Sequence, residues 1–470
     1  MVMEEFLRLT AARFLPIIAL ALVWLVAGAA GFASGLDEPS PAEEIEVAQQ
    51  RSIPSDPALV EDVFEDRVSD RPQPNRLRTC QVDTDLFSGL NGDLSLAAAT
   101  PDLELLMGVD EERLVAPASI VKLFTAVAAL RTLGSDFRFQ TTVVQGSNPG
   151  EVWLVGGGDV TLTRSPLNNY YASNASLADL AQQTVDRLAI QDIVPTAVFV
   201  DTSRYSRFSQ WDESWRPGSE RLGFVAPVTA LQVDGDRTQP TSRLSPRSAD
   251  PVSRALRWFA DDISQFTGRE LSLRGEAPVP EGRTLAVVES APLVELLVIM
   301  LRDSDNSLAE VIAREVALAV GASSPGDGVL QSLGLPEEML GQAQLRDGSG
   351  LSDLTAVPAT AVIGLLAEIH NAGDLAAVRD ALPLAGETGS LRTRFVSVAG
   401  ELAGRVSAKT GSLRGVRSLA GYVNSDDDET VMFSLVLHGR GVDNASRDDI
   451  DRMVEELARC GENLAGLDED

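Results

Sequence analysis

The stretch APASIVKLFTA, residues 116–126, places Ser119 and Lys122 three positions apart in an otherwise apolar run. A proline near its start and a glycine beyond its end predict a helix over about residues 117–133. Residues at i and i+3 share one face of a helix, so the serine hydroxyl and the lysine amine are expected to meet. An amine whose pKa is lowered by burial and by cationic neighbours can remove the proton of a serine. The stretch therefore predicts a nucleophilic serine with a lysine as its base.

Two further motifs follow along the chain. Ser304, Asp305 and Asn306 open a predicted helix, and Lys409, Thr410 and Gly411 lie on a predicted strand that continues into Ser412. Taken alone, the first motif is most often a helix N-cap and the second a strand that leads into a turn. In this order, however, S-x-x-K, S-D-N and K-T-G are the motifs of the penicillin-recognising serine enzymes.

With these motifs the chain resembles the D-alanyl-D-alanine carboxypeptidase/endopeptidase family of low-molecular-mass, class C penicillin-binding proteins, also called peptidase S13. The resemblance runs from about Cys80 to the C-terminus. Three more blocks look like those of the family: GGGDVTLT (156–163), RDGSGLS (346–352) and GETGSLRTRF (386–395).

The resemblance implies a role for each motif residue in the cleavage of a terminal D-Ala-D-Ala bond. Ser119 would attack the carbonyl and become acylated, and Lys122 would accept its proton. Ser304 and Lys409 would relay a proton to the leaving amine, while Asn306 would hold the substrate amide and orient Lys122.

The third motif is implied to bind the end of the substrate. The hydroxyls of Thr410 and Ser412, beside the charge of Lys409, suit the free carboxylate of the last D-Ala, and Gly411 lies between them on the same strand. Backbone N–H groups of Ser119 and Ser412 would form the oxyanion hole.

The long interval between Ser119 and Ser304 implies an inserted domain. The expected fold is α/β (α+β): a transpeptidase-like domain, with an antiparallel sheet flanked by helices and an all-helical part, that carries a smaller inserted α/β domain. The stretches GRVSAKTGSLRGVRSLAGYV and ETVMFSLVLHG predict two strands around the turn NSDDDE. The predicted division is catalytic domain 80–138 and 291–470, and inserted domain 139–290.

The N-terminus predicts export. Residues 14–33 carry no charge, and this stretch is long enough to form a helix that spans a bilayer. We favour an uncleaved membrane anchor within residues 1–35, although Gly31, Phe32 and Ala33 offer a site for cleavage near Ala33. The acidic, proline-dotted residues 36–79 predict a flexible linker. The catalytic part is thus expected in the cell envelope, where Cys80 and Cys460 could pair in a disulfide.

Composition excludes several function classes. A formal net charge of −30 makes the chain a poor binder of nucleic acid. Two cysteines and two histidines leave little for a metal site, and we expect no metal and no cofactor. A Ser-His-Asp triad would need His370 or His438, each of which lies in an ordinary helix or strand pattern.

The expected function is that of a serine carboxypeptidase that acts on peptidoglycan stem peptides and binds β-lactams as covalent inhibitors. Two alternatives are a β-lactamase-like hydrolase and a catalytically idle cell-wall binding protein. The string EEMLG (337–341) is a poor match to the glutamate loop of class A β-lactamases, and the presence of every reactive residue argues against an idle protein. The sequence leaves open the balance of carboxypeptidase and endopeptidase activity, the diamino acid of the stem peptide and the oligomeric state.

Overall fold

The computed structural model describes residues 78–83, 85–167, 169–396 and 402–465. The predicted anchor or signal segment (1–35) lies outside these residues, as does the predicted linker up to residue 77. The described residues fold into two β-sheets with helices packed between and around them.

The helix that follows Ser119 forms the centre of the larger core. The α-helices of the described residues are α1 (Asp85–Ser88), α2 (Val121–Leu133), α3 (Leu177–Ala189), α4 (Pro251–Thr267), α5 (Leu293–Arg302), α6 (Asn306–Val320), α7 (Pro325–Gln331), α8 (Glu337–Leu340), α9 (Ala359–Asn371), α10 (Ala376–Asp380) and α11 (Ser446–Cys460). Helix α2 is buried from Val121 to Ala129, because α5, α6, α7 and α9 all pack against it. Apolar residues on every face of this helix therefore contribute to the core.

The first sheet is antiparallel. Its strands in the described chain are β1 (Asp93–Ala99), β2 (Leu105–Val109), β8 (Val406–Leu413), β9 (Val416–Asn424) and β10 (Thr430–His438). They lie in the order β2-β1-β10-β9-β8, so β1 joins the C-terminal strands by pairing with β10. Strands β9 and β10 are buried almost throughout, with α11 packed against both and α9 against β10. Burial on both faces explains the largely apolar run of β10.

The second sheet is mixed. Its strands are β3 (Gln140–Gln145), β4 (Glu151–Val155), β5 (Ala197–Asp201), β6 (Ser272–Glu276) and β7 (Thr284–Glu289), in the order β6-β5-β4-β3-β7. Strands β4, β5 and β6 run parallel, and β3 is antiparallel to β4 and β7. We call residues 140–289 the second-sheet segment. It falls inside the predicted inserted domain, whose boundaries stay a prediction.

Two local expectations differ from the structure. The predicted helix over 117–133 begins as a 3-10 turn, Ala118–Ile120, and becomes α-helical only at Val121. The single strand predicted over residues 404–423 is wrong: it is two strands, β8 and β9, joined by a tight turn at Gly415. Gly415 has φ +71°, a conformation that glycine adopts readily, and this turn reverses the chain.

The two cysteines meet at the edge of this fold. Cys80 and Cys460 form a disulfide across a sequence separation of 380 residues. It ties the start of the described chain to the end of α11. In the described residues no single helix is long and apolar enough to cross a bilayer, and the pair Ala359–Asn371 and Gly373–Asp380 meets the length and composition criteria only together, across a 100° bend.

Candidate active site

The predicted nucleophile lies at a strained point of the backbone. Ser119 sits in the 3-10 turn that precedes α2, and Ala118 before it has φ +53°. Left-handed φ values are costly for residues other than glycine and persist when the surroundings hold them. Here Gly350 packs so closely that a β-carbon on it would lie 2.0 Å from the Ala118 carbonyl oxygen. The site thus fixes the nucleophile through backbone packing.

Lys122 is the centre of the hydrogen bonds around the nucleophile. Its Nζ lies 2.9 Å from Ser119 Oγ, 2.7 Å from Asn306 Oδ1 and 2.6 Å from the Ser349 carbonyl oxygen. Two of these partners are carbonyl oxygens, which only accept. A neutral lysine amine would donate to both of them and leave its lone pair for the Ser119 hydroxyl. The arrangement therefore suits a lysine that takes the serine proton.

Burial also prepares this amine for its role. Lys122 is fully buried, and burial lowers its pKa to about 8. The carboxylates of Asp347, Glu310 and Asp305 act in the opposite direction and raise the pKa. Burial is thus the cause that the sequence predicted. The charged neighbours Asp347, Glu310 and Asp305 are anionic, contrary to our expectation of cationic ones.

The second motif faces the nucleophile from the start of α6. Ser304 has φ +58°, and its Oγ accepts a hydrogen bond of 2.9 Å from Lys409 Nζ. Asn306 uses both ends of its amide, since Oδ1 accepts from Lys122 and Nδ2 donates to the Phe224 carbonyl oxygen at 3.0 Å. The hydrogen bonds thus join Ser119, Lys122 and Asn306, and separately Ser304 and Lys409. The structure therefore brings side chains of the three motifs together.

The third motif lies on β8, one of the two edge strands of the first sheet. Lys409 is fully buried, and burial lowers its pKa well below the ordinary value, with a further decrease from the charge of Lys122. Gly411 faces the nucleophile turn, where a β-carbon would come within 2.7 Å of the Pro117 carbonyl oxygen. Thr410 Oγ1 lies 2.7 Å from Ser390 Oγ, and Ser412 is exposed at the edge of the sheet.

The sequence analysis missed the turn at residues 347–352 as part of the site. Asp347 accepts hydrogen bonds from Gly350 N (2.7 Å), Ser352 N (2.8 Å) and Trp215 Nε1 (2.8 Å). Glu310 accepts from Gly348 N at 3.1 Å. These two buried carboxylates hold the turn that presents the Ser349 carbonyl to Lys122. The block RDGSGLS (346–352) contains this turn and is its signal in the sequence, but the block alone does not indicate a contact with Lys122.

The histidines lie elsewhere. His370 is on α9 with its ring centroid 5.9 Å from that of Tyr422, and His438 ends β10. Neither contributes to the hydrogen bonds of Ser119 described above. Among the described residues, no group of three or more His, Cys, Asp or Glu side chains is placed to hold a metal ion.

A comparison with models of protein families identifies the family of the chain. The family model described as "D-Ala-D-Ala carboxypeptidase 3 (S13) family" matches residues 97–247 and 241–460. The chain belongs to the S13 family. The resemblance inferred from the three motifs is thereby confirmed, and with it the prediction that the chain is a serine peptidase.

Individual related proteins align with most of the chain. "Carboxypeptidase DacB" of Mycolicibacterium smegmatis is 36% identical over 405 residues, which cover 79% of this chain and 84% of that protein. A carboxypeptidase of Mycobacterium tuberculosis is 35% identical over 402 residues, covering 80% of this chain and 84% of that one. The crystal structure of penicillin binding protein 4 (dacB) from Haemophilus influenzae matches with a TM-score of 0.65 at 22% identity, covering 80% of this chain and 99% of that chain. This likeness confirms the predicted fold class.

Proposed function

We propose that this S13 protein is a serine D-Ala-D-Ala carboxypeptidase that acts on peptidoglycan stem peptides. One observation carries the proposal: Lys122 Nζ touches Ser119 Oγ while Asn306 Oδ1 and the Ser349 carbonyl occupy its other two hydrogen-bonding positions. This is the arrangement that a serine needs to attack a peptide bond without a histidine.

The reaction follows from these contacts. Ser119 Oγ forms a bond to the carbonyl carbon as its proton passes to Lys122, and the carbonyl oxygen becomes an oxyanion. Backbone N–H groups of Ser119 and Ser412 are the donors proposed to stabilise that charge; the loss of one such donor typically costs about 100-fold to 1000-fold in rate. The C–N bond then breaks, and Lys409 with Ser304 supplies the proton for the departing amine. Water then adds to the acyl-enzyme: its oxygen bonds to the carbonyl carbon and its proton replaces the one given up through Ser304 and Lys409. Lys122 returns its proton to Ser119 Oγ as the ester C–O bond breaks, which frees the serine.

The specificity for a C-terminal residue is proposed to come from β8. A free carboxylate on the last D-Ala would lie beside Lys409, whose charged form it would stabilise, and accept from the hydroxyls of Thr410 and Ser412. Ser390 Oγ supports this pocket through its hydrogen bond to Thr410. Charge-assisted bonds of this kind are about twice as strong as neutral ones.

Binding of β-lactams follows from the same chemistry. Attack by Ser119 on a β-lactam amide opens the ring, so the leaving amine stays tethered to the acyl group and still occupies the site. We therefore expect β-lactams to acylate Ser119 and to leave slowly.

Export and attachment to the cell envelope are part of the proposal. The uncharged stretch 14–33 supports an N-terminal anchor, with a cleaved signal as the alternative. The disulfide between Cys80 and Cys460 is typical of an oxidising compartment.

The test combines labelling with product analysis. Wild type and Ser119→Ala are incubated with a labelled penicillin, and then with muropeptides whose products are weighed by mass spectrometry. We expect labelling and loss of the terminal D-Ala with wild type only. Unchanged labelling of Ser119→Ala would contradict the proposed nucleophile. Products in which cross-links are split would instead assign the activity to an endopeptidase.

A further inference from the structure

Two aspartates flank Ser304, and a tyrosine of the second-sheet segment binds each of them. Tyr170 OH donates a 2.6 Å hydrogen bond to Asp303 Oδ2. Its neighbour Tyr171 donates a 3.1 Å hydrogen bond to Asp305 Oδ2. The backbone on both sides of Ser304 is therefore attached to a part of the chain more than 130 residues away.

Arg237 completes this attachment. Its Nη2 lies 2.8 Å from Asp305 Oδ2, and both side chains are almost fully buried, at 1% and 2% exposed. The guanidinium also lies over the Tyr170 and Tyr171 rings, 4.0 Å and 4.6 Å from their centroids. Such stacking of a cation on aromatic faces is favourable, and more so where water is excluded.

Arg237 and Asp305 form a charged pair. Burial alone would raise the pKa of Asp305, but the charges of Arg237 and Arg247 outweigh it and lower the pKa to about 2. Asp305 also accepts a hydrogen bond from Leu308 N at 3.0 Å, which caps α6. Arg237 thus fixes the N-cap residue of this helix.

The attachment explains how Ser304 keeps an unfavourable backbone conformation. A left-handed serine is strained by roughly 1–3 kcal/mol and persists only where its neighbours hold it. Here both neighbours are held, at Asp303 by Tyr170 and at Asp305 by Tyr171 and Arg237. This conformation directs Ser304 Oγ to within 2.9 Å of Lys409 Nζ.

We propose that Tyr170, Tyr171 and Arg237 are positioning residues, which hold Ser304 against Lys409 for protonation of the leaving amine. The proposal rests on the function proposed above. It makes the second-sheet segment part of the catalytic apparatus although none of these three side chains touches Ser119 or Lys122 in the described hydrogen bonds.

Two substrates with different leaving groups distinguish a positioning role from a simple loss of stability. An amide must gain a proton on nitrogen before or as the C–N bond breaks, whereas a thioester releases a stable thiolate without one. A displaced Ser304 should therefore slow the amide more than the thioester. The ratio of the two kcat/KM values is also independent of how much of a variant is folded, because both substrates meet the same active enzyme.

The experiment compares a D-Ala-D-Ala peptide with a thioester that carries the same acyl group. The variants are Tyr170→Phe, Arg237→Lys and Arg237→Met. The matched controls are residues of the same second-sheet segment that bind the same helix, α6. Tyr205 OH and Arg204 Nε each lie 2.7 Å from Glu315 Oε1 on that helix, away from Ser304. Tyr205→Phe and Arg204→Met therefore remove a tyrosine hydroxyl and an arginine charge without touching residues 303–306.

We expect the amide-to-thioester ratio to fall about tenfold in Tyr170→Phe, as for one lost hydrogen bond to a charged group, and further in Arg237→Met. Arg237→Lys keeps the charge and should fall between wild type and Arg237→Met. Both controls should stay within about twofold of wild type. Equal losses on both substrates in the Tyr170 and Arg237 variants would overturn the positioning role. A wild type that cleaves neither substrate would overturn the proposed function itself.

Discussion

The carbonyl oxygen of Ser349 lies 2.6 Å from Lys122 Nζ, closer than either side-chain partner of that amine. A backbone carbonyl cannot donate, so this contact always takes a hydrogen from lysine. Together with Asn306 Oδ1 it leaves Ser119 as the one partner, among these three, that can give a proton to the neutral amine. The direction of proton transfer is therefore built into the geometry.

The pH dependence of acylation should report this amine. Because the pKa of Lys122 is lowered to about 8, the base is protonated and inactive below that pH and becomes available as the pH rises through it. We expect kcat/KM for acylation by a penicillin to rise with pH, with a midpoint near pH 8. Stopped-flow labelling across pH 6–10 measures it.

The comparison for this profile is Lys122→Met, which should show little acylation at any pH. A wild-type rate that is still rising steeply at pH 10, as for a lysine of the ordinary pKa of 10.5, would contradict the lowered pKa of this amine.

Asp347 supports the turn that carries Ser349, and its removal should affect stability and the pH profile together. Asp347→Ala leaves three buried N–H donors without their acceptor, at a cost of about 1–3 kcal/mol each. Since the Asp347 charge raises the pKa of Lys122, its loss should also shift the acylation midpoint below that of wild type. Urea unfolding and the acylation profile measure the two effects.

The exposed Asp353, in the same stretch, provides the control for Asp347. Asp353→Ala should leave the free energy of unfolding within about 0.5 kcal/mol of wild type. If Asp347→Ala lost stability but kept the wild-type midpoint of the acylation profile, Asp347 would support the turn without raising the pKa of Lys122.

The side chains of the site could be predicted from the sequence because each motif couples a residue type to a spacing. Ser119 and Lys122 are one helical turn apart, and Asn306 and Lys409 were predicted from motif order. The partners that hold them could not be predicted in this way. The Ser349 contact is made by a backbone carbonyl, which has no side-chain signature, and Arg237 meets Asp305 only through the tertiary fold.

The same distinction applies to the fold. Apolar residues at both ends of the catalytic region predicted strands, but the turn at Arg414 and Gly415 within 404–423 was not predicted. Strand β8 ends at Leu413 and β9 begins at Val416, so only two residues reverse the chain. So short a turn is easily overlooked in a sequence, and the positive φ of Gly415 makes it possible.

The disulfide should contribute to stability without contributing to catalysis. It closes a very long loop, and removing a native disulfide typically costs about 2–5 kcal/mol. We expect unfolding to reach its midpoint at a lower concentration of guanidinium chloride when dithiothreitol has reduced the disulfide than when it is absent. Cys80→Ser/Cys460→Ser should unfold at that lower midpoint with or without reductant. Penicillin labelling of the folded double variant should match wild type; a large loss would mean that the bridge shapes the site.

Gly350 tests whether the nucleophile is fixed by backbone packing. In Gly350→Ala the new β-carbon would lie 2.0 Å from the Ala118 carbonyl oxygen, so the turn that carries Ser119 must move. We expect acylation by labelled penicillin to slow by at least about 100-fold, since small displacements of a reacting group have effects of this size. Gly350 also has φ +76°, and alanine is strained there in any case. Gly268→Ala separates the two causes, because Gly268 has φ +67° but no atom within 4 Å of the added β-carbon. That control should lose some stability and keep its acylation rate, whereas equal acylation rates in the two variants would show that contact between Gly350 and Ala118 does not position the serine.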